Sequence, residues 1–267
     1  MAKSRALLNV LNLVNSSEKE LPVQEQFLND LRTSIQKQDE KDARQPSQTY
    51  KPSSLHCMRN MYYQVTGAVG EAGTNSSELI GICESGSDRH ERIQNAVMQM
   101  KDNGIDCEYV DVAAYVFEKQ SHGNLMDLEI VSKQGFETKL YNKRLNMSFL
   151  CDGIIKYKGA YYILEIKTEK STKFWDRKDV NPDHILQGTA YSLNLGLGEV
   201  VFIYECRDDC NKKAYMLTVT DEMRKELEDR IMECNGYVER QVPPPISTET
   251  SRKACMYCGY AKLCRGT

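Results

Sequence analysis

The stretch Tyr161–Thr168, with the sequence Tyr-Tyr-Ile-Leu-Glu-Ile-Lys-Thr, decides the fold. Its nearly continuous apolar character predicts a strand that is covered on both faces. Glu165 and Lys167 interrupt this character, and their spacing of two places both side chains on one face of the strand. Because removing such charges from water costs several kcal/mol per ion, a buried strand carries them only where something offsets the cost.

A second carboxylate, Asp152, lies in the preceding apolar run, residues 147–155. Two carboxylates on neighbouring strands repel each other, and a divalent cation is the usual remedy. Mg²⁺ and Mn²⁺ prefer oxygen ligands, so the pattern Asp152-x12-Glu165-x-Lys167 predicts a metal site, to which the backbone carbonyl of Ile166 can contribute. Lys167 would then orient a metal-bound water or stabilise charge on a phosphate. The alternative is a Glu–Lys ion pair with a purely structural role.

The overall charge does not indicate a nucleic-acid partner, since the 267-residue chain has a net charge of -3 and a pI of about 5.9. Its 40% hydrophobic and 27% charged content fits a soluble globular protein. No stretch is long enough to span a membrane. Ten cysteines without a convincing signal peptide indicate a reducing compartment, and we expect a cytoplasmic protein (in the host cytoplasm if it is phage-encoded).

The pattern of apolar residues predicts a helical appendage and linker at 1–49, a core at 50–242 and a C-terminal cysteine segment at 243–267. Helices are expected at 5–14, 23–37, from Ser53 onward, 85–100, 183–195 and 221–235, the last ending at Gly236. Strands are expected at 107–119, 125–131, 135–141, 147–157, 160–168, 200–206 and 213–219. The strands 147–157 and 160–168 should form a hairpin that turns at Lys158-Gly159, and 170–182 should be a loop.

Two weaker signals come from helices near the predicted site. His90 shares a helix face with Ile93 and Val97, where a satisfied core histidine is the usual interpretation and a metal ligand is the alternative. Gln187 and Tyr191 are four residues apart on another helix, so they share a face and could hold a phosphate or a base.

Four basic residues and the only tryptophan follow the central strand directly: Lys170, Lys173, Trp175, Arg177 and Lys178. Cations suit phosphates and aromatic rings suit stacked bases, so the segment predicts a contact with single-stranded nucleic acid. A solvated charged loop is the alternative.

The C-terminal pattern Cys255-x2-Cys258-x5-Cys264 places three cysteines within ten residues, which indicates a metal rather than free thiols. Three thiolates leave one position open, and Cys57 is the candidate for it. Both Zn²⁺ and an iron–sulfur cluster accept four cysteines. Such a site would join residue 57 to residue 255, and closing so long a loop is where a metal clip can stabilise most.

Taken in chain order, these motifs resemble the RecB-type branch of the PD-(D/E)XK nuclease superfamily, over about residues 51–264. The motifs are Gly86-x3-His90, Asp152, Glu165-x-Lys167 and Gln187-x3-Tyr191. One cysteine upstream and three near the end are similar to the iron–sulfur members, which include the CRISPR-associated RecB-like exonuclease and the AddB nuclease domain. The segment Ser53-Ser54-Leu55, leading to Cys57 and followed by Arg59 and Tyr62-Tyr63, also looks like that group.

The resemblance implies a central mixed β-sheet flanked by helices, with an iron–sulfur cluster tying the two ends of the core together. It implies a [4Fe–4S] cluster rather than zinc, and DNA cleavage with a divalent metal held by His90, Asp152, Glu165 and the Ile166 carbonyl. Lys167 would be catalytic, with Gln187 and Tyr191 positioning the strand. Exonuclease action on single-stranded DNA or DNA ends is implied, in recombination, repair, phage DNA processing or CRISPR adaptation. A non-catalytic DNA-binding or scaffold protein, or a zinc-ribbon interaction module, is the competing class.

Overall fold

The structure is a computed structural model that describes residues 21–42, 47–70, 76–134, 137–246, 255 and 258–266. The helix predicted at 5–14 lies outside these residues. The helices are α1 (Val23–Asp42), α2 (Met58–Val65), α3 (Ser77–Asp102), α4 (Val112–Ser121), α5 (Ser171–Asp176), α6 (Pro182–Leu195), α7 (Asp221–Glu239) and α8 (Ala261–Arg265). The strands are β1 (Cys107–Val110), β2 (Leu128–Gln134), β3 (Glu137–Asn142), β4 (Met147–Cys151), β5 (Gly153–Tyr157), β6 (Ala160–Glu169), β7 (Glu199–Cys206) and β8 (Lys212–Thr218).

The strands form two sheets. The larger has the order β1-β5-β6-β7-β8, and the smaller has the order β2-β3-β4. In the larger sheet β6 and β7 are parallel and the other neighbours are antiparallel. A parallel pair needs a long crossover connection, which the segment containing α5 and α6 supplies. The predicted central mixed sheet flanked by helices is therefore confirmed.

Strand β6 is buried on both faces, as its apolar sequence predicts. On one face Leu164 and Ile166 pack with Ile93 and Val97 of α3. The opposite face carries Glu165 and Lys167, which lie in register with Phe202 and Tyr204 of β7. Helix α6 covers this second face, because Gln187 of α6 contacts Glu165. The two faces of β6 thus receive residues from two different helices.

The expectation of one strand over 147–157 is wrong, because the chain changes sheets at Asp152. Strand β4 pairs with β3 in the smaller sheet, whereas β5 pairs with β6 in the larger. Between them the carbonyl oxygen of Asp152 accepts hydrogen bonds from the side chains of Gln94 (2.7 Å) and Tyr109 (3.0 Å). These side chains replace a strand partner at the break. The predicted hairpin of β5 and β6 is confirmed, with positive φ at Lys158 and Gly159.

The strand predicted at 107–119 is also wrong beyond Val110. Asp111 begins α4 instead, since its side chain accepts a hydrogen bond from the Ala114 N–H (3.0 Å) and so caps the helix. Other boundaries differ less. Helix α3 begins at Ser77 rather than near 85, α1 continues to Asp42, α7 continues through Gly236 to Glu239, and the loop predicted at 170–182 contains α5.

The chain divides into two units, residues 1–44 with 74–83, and residues 45–73 with 84–267. In the first unit Arg32 lies 3.4 Å from Glu78 in an exposed ion pair. The second unit contains both sheets and every predicted site residue. None of the helices within the described ranges is long and apolar enough to cross a lipid bilayer. The expected division at residues 49 and 242 stays a prediction.

Candidate active site

Asp152 is held in place at the junction of the two sheets. One carboxylate oxygen, Oδ2, accepts a hydrogen bond from the backbone N–H of Ile166 (2.7 Å), and Oδ1 lies 3.2 Å from Nδ1 of His90. Asp152 thereby joins the C-terminal half of β6 to helix α3. The two carboxylates that the sequence places on consecutive apolar runs do lie together, beside the middle of the central strand, where its ladder with β5 ends.

The edge of β6 is open beyond Leu164, because the ladder with β5 ends at the pair Gly153 and Leu164. The N–H of Ile166 consequently goes to Asp152 instead of to a strand. In an antiparallel ladder the N–H and the C=O of one residue face the same neighbour. The carbonyl of Ile166 therefore faces the same open edge, where it can serve as the predicted backbone ligand.

Glu165 is 2% exposed and contacts two polar side chains, one of which is bonded to a third. Its Oε1 lies 2.5 Å from Nζ of Lys167 and accepts a hydrogen bond from Nε2 of Gln187 (2.7 Å). The same Nε2 donates to the hydroxyl of Tyr191 at 2.7 Å. The other carboxylate oxygen, Oε2, is buried without a hydrogen-bond partner among the described residues. Gln187 and Tyr191 thus hold Glu165, a role that the sequence did not indicate.

The environment of Glu165 disfavours its charged form. Burial is the largest cause, the charge of Asp152 adds to it, and Lys167 only partly opposes them, so that the pKa of Glu165 rises from 4.5 to about 7. At about 1.4 kcal/mol for each pKa unit, keeping this carboxylate ionised above pH 7 costs about 3 kcal/mol. An additional cation near Oε2 would lower that cost.

The donor set fits a hard divalent cation. It contains the carboxylates of Asp152 and Glu165 and the Ile166 carbonyl, and such ions prefer oxygen ligands. As they stand, no three His, Cys, Asp or Glu side chains of the described residues are grouped closely enough to hold an ion. Glu165 is turned toward Lys167, and Asp152 toward His90 and Ile166. Mg²⁺ normally keeps several waters and binds one or two carboxylates, so a sparse set of protein ligands suffices for it.

His90 points from α3 to Asp152, so it is more than a core residue packed among apolar side chains. Burial lowers the pKa of His90, but the hydrogen bond and the charge of Asp152 outweigh this effect, and the net shift is upward. A carboxylate that orients an imidazole ring is common around metal-binding histidines. The arrangement is compatible with His90 acting as a ligand through its other nitrogen.

The basic segment after β6 is more ordered than a solvated loop. Lys213, on β8, donates from Nζ to the backbone carbonyls of Phe174 (2.7 Å), Trp175 (3.3 Å) and Arg177 (3.2 Å). Trp175 is nevertheless 52% exposed. The side chains of Lys170, Lys173 and Lys178 are exposed as well. An exposed indole and three exposed ammonium groups are thus presented by a segment that is tied to the sheet.

Arg177 differs from these neighbours. Its guanidinium makes two hydrogen bonds to Glu169, at 2.7 Å and 2.5 Å, and lies over the Tyr204 ring at 4.4 Å from the centroid. The side chain is only 12% exposed. Its charge is therefore already paired, and its first role is to anchor the segment.

The four cysteines singled out by spacing lie near one another. Cys57, Cys255 and Cys264 line one cavity of about 40 Å³. The fourth, Cys258, accepts a hydrogen bond from Asn60 (3.7 Å). Burial raises the pKa of Cys258, and the charges of the other three thiols raise it further. Four cysteines are a donor set that either Zn²⁺ or an iron–sulfur cluster accepts. As they stand, however, no three of these described side chains are grouped closely enough to hold an ion.

Sequence reasoning missed another buried carboxylate, Glu205 on β7. Its Oε1 accepts hydrogen bonds from Arg89 (2.9 Å) and Arg92 (2.6 Å), and its Oε2 lies 3.0 Å from Nζ of Lys212. Burial raises the pKa of Glu205, but these three cations lower it more. The available signal was the same as for Glu165, a charged residue within a predicted buried strand. His184 of α6 was missed as well.

No protein-family model and no curated protein sequence matches the chain. Among solved structures it is similar to SSO0001, with 14% identity, a TM-score of 0.47, and coverage of 89% of this chain and 96% of that one. It is also similar to LHK-Exo, an alkaline exonuclease from Laribacter hongkongensis, with 12% identity and coverage of 73% of this chain and 90% of that one. The TM-scores are 0.42 for that structure and 0.43 for LHK-Exo in complex with dAMP.

Proposed function

We propose that the protein is a divalent-metal-dependent DNA nuclease that hydrolyses phosphodiester bonds. The observation that carries this proposal is Glu165, a buried carboxylate with a raised pKa and an unpaired oxygen. It lies 2.5 Å from Lys167 and on the same strand as Ile166, to which Asp152 is bound. Glu205 also has an Oε2 without a hydrogen-bond partner, but three cations lower its pKa. The raised pKa of Glu165, which has one lysine beside it, is what favours an additional cation.

Each residue then has a defined role. Asp152, Glu165, the Ile166 carbonyl and His90 would hold Mg²⁺ or Mn²⁺, which supplies charge neutralisation at the phosphate and a more acidic water. Lys167 orients that water or stabilises charge that develops on the phosphate. Gln187 and Tyr191 keep Glu165 in position through the hydrogen bonds described above.

The segment after β6 would bind the nucleic acid. Lys170, Lys173 and Lys178 supply cations for phosphates, and Trp175 supplies a face on which a base can stack. Arg177 contributes by keeping this segment attached to Glu169. Exonuclease action on single-stranded DNA or DNA ends is favoured by the resemblance to RecB-type nucleases, as are partners from recombination or CRISPR adaptation.

We further propose that Cys57, Cys255, Cys258 and Cys264 bind a [4Fe–4S] cluster, with Zn²⁺ as the alternative. Three of them line one small cavity and the fourth, Cys258, lies close enough for their charges to raise its pKa, which supports a shared ligand. The group would join the start of α2 to the end of the chain and so act structurally. Protein purified without oxygen should be brown and contain about four irons for each chain. A colourless protein with one bound zinc would refute the cluster, but the four cysteines would still be joined by a metal.

Cleavage is tested with single-stranded DNA labelled at either end, in the presence of Mn²⁺. The wild type should degrade it, and the label released first gives the polarity. Glu165→Ala and Lys167→Ala should each abolish cleavage while DNA binding persists. Lys225→Ala is the matched control, because Lys225 forms an exposed ion pair with Asp229 on α7. Full activity in either site variant would overturn the catalytic assignment, and a wild type that binds but never cleaves would indicate a scaffold protein.

A further inference from the structure

His184 lies on the face of helix α6 that covers the candidate active site. It precedes Gln187 by three residues and Tyr191 by seven, so all three share one face of the helix. Its ring stacks on Tyr204 (centroids 5.6 Å apart, planes at 21°) and on Phe202 (6.4 Å, 15°). Since Tyr204 is the β7 neighbour of Lys167 in register, His184 lies beside the predicted catalytic lysine.

The hydrogen bonds around Tyr204 favour one tautomer of His184. The hydroxyl of Tyr204 accepts a hydrogen bond from the backbone N–H of Asn181 (3.2 Å) and lies 2.8 Å from Nδ1 of His184. A backbone N–H can only donate, so the hydroxyl proton is free to be donated to Nδ1. In this arrangement both the Asn181 N–H and the Tyr204 hydroxyl donate a hydrogen bond. His184 is then neutral and carries its proton on Nε2.

The charges around His184 favour this neutral form. Burial is the main cause of a pKa lowered to about 3, and the positive charges of Lys167, Arg177 and Lys173 lower it in that order. The Nε2–H group is therefore a permanent hydrogen-bond donor in a region where three cations from two elements meet. Arg177 is paired with Glu169 and Lys167 with Glu165, whereas Lys173 has no ion pair among the described residues and is available to an anion. The half-buried ring leaves Nε2 of His184 without a partner among the described residues.

We propose that His184 is a substrate-binding residue whose Nε2–H donates a hydrogen bond to a phosphate of the bound DNA strand, next to Lys167. This inference rests on the proposed nuclease function and adds a residue to its substrate site. The stack on Phe202 and Tyr204 and the hydrogen bond from Tyr204 orient the ring, so that the donor is preorganised before the strand arrives. A histidine with a purely structural role would have no contact with the phosphate.

The tautomer and the contact can both be observed by proton–nitrogen correlation spectra of the imidazoles, since the chain has four histidines. The free protein should show His184 as the Nε2–H tautomer. Adding oligo(dT) without divalent metal should shift its Nε2 signal, and the Tyr204→Phe variant should show a mixture of tautomers. An Nδ1–H tautomer in the wild type, or an Nε2 signal that oligo(dT) leaves unchanged, would overturn the proposal.

Kinetics provide the second readout. His184→Phe keeps an aromatic ring on Phe202 and Tyr204 but removes the donor, and His184→Gln restores an N–H donor at similar reach. A hydrogen bond to a charged group corresponds to a factor of about ten to one hundred. We expect KM for single-stranded DNA to rise by that factor in the Phe variant and to recover partly in the Gln variant, with thermal unfolding checked for both.

The nuclease function and the role of His184 are overturned by different results. If the wild type cleaves DNA and the Phe variant has the wild-type KM, His184 is structural and the nuclease proposal stands. If the wild type does not cleave but oligo(dT) shifts the His184 signal, the nuclease proposal fails and His184 remains a nucleic-acid-binding residue.

Discussion

Replacing Glu165 by Gln tests the electrostatic basis of the site without requiring a substrate. The folded protein binds a proton at Glu165 up to about pH 7, whereas the reference value for the unfolded chain is 4.5. The folded state therefore binds more protons between these values, and stability falls as the pH rises through this window. Gln resembles the protonated carboxyl and does not titrate, so the variant should lack this fall.

The magnitude follows from the raised pKa. A shift from 4.5 to about 7 corresponds to about 3 kcal/mol of stability, of which roughly 2 to 3 kcal/mol is lost between pH 5 and pH 8. Below the folded pKa the wild type already lacks the charge that pairs with Lys167, so the variant resembles the wild type at acidic pH. The Gln variant should thus be more stable than the wild type at pH 8 and nearly equal to it at pH 5.

Urea unfolding gives the free energy of unfolding of the wild type and the variant at pH 5 and at pH 8. The change in their difference between the two pH values isolates the titration, because packing effects of the substitution cancel. Parallel pH dependence of wild type and variant would refute the reasoning. Glu205→Gln is the matched control, because Glu205 is equally buried but has a lowered pKa. A lowered pKa stabilises the protein above the unfolded value, so this variant should lose more stability at pH 8 than at pH 4.

Three further outcomes are expected. Mg²⁺ at one hundred times its dissociation constant should stabilise the wild type by about 2.7 kcal/mol in thermal or urea unfolding, and Asp152→Asn should remove most of this effect; equal stabilisation of both would place the ion elsewhere. Arg177→Ala should destabilise the protein by about 3 kcal/mol in urea unfolding, since it leaves the buried Glu169 without its partner, and a change under about 0.5 kcal/mol would show the pair to be dispensable. Combined Lys173→Gln and Lys178→Gln should lower the salt dependence of single-stranded DNA binding by roughly one unit of slope for each lost phosphate contact, and an unchanged slope would move the DNA path away from this segment.

The central part of the fold could be predicted because local patterns and tertiary burial agree there. The apolar run of β6 is covered on both faces, and Lys158-Gly159 has the backbone conformation of a tight hairpin turn. The break at Asp152 was missed although the dipeptide Asp152-Gly153 is a turn signal, because the apolar residues on both sides of it read as one continuous strand. It depends on Gln94 and Tyr109, distant side chains that satisfy the Asp152 carbonyl. The start of α4 was missed because a single side chain, Asp111, ends the strand and caps the helix.

The candidate site, like the fold, has parts that the sequence predicts and parts that it does not. Spacing alone placed Glu165 and Lys167 on one face of a buried strand, and the order of apolar runs brought Asp152 to them. The contact of Gln187 with Glu165, rather than with substrate, depends on the distance between α6 and β6. Sequence spacing gives which residues share a helix face but not how far that face lies from the strand.

Glu165 and Glu205 together show why a buried charge alone does not identify a functional site. Both lie on neighbouring central strands, but on opposite faces of the sheet, since Glu165 is in register with Phe202 and Glu205 with Thr168. Glu205 has three cations within 3.0 Å of its carboxylate and a lowered pKa, so its charge is already stabilised. Each residue has an Oε2 without a hydrogen bond among the described residues, so this oxygen does not distinguish them. Glu165 has only one lysine and a neighbouring carboxylate, and its pKa is raised, so its charge is stabilised incompletely. A protein that can surround one buried carboxylate with three cations could have done so for the other. The unmet requirement at Glu165 is therefore the feature of this site that a divalent cation would satisfy.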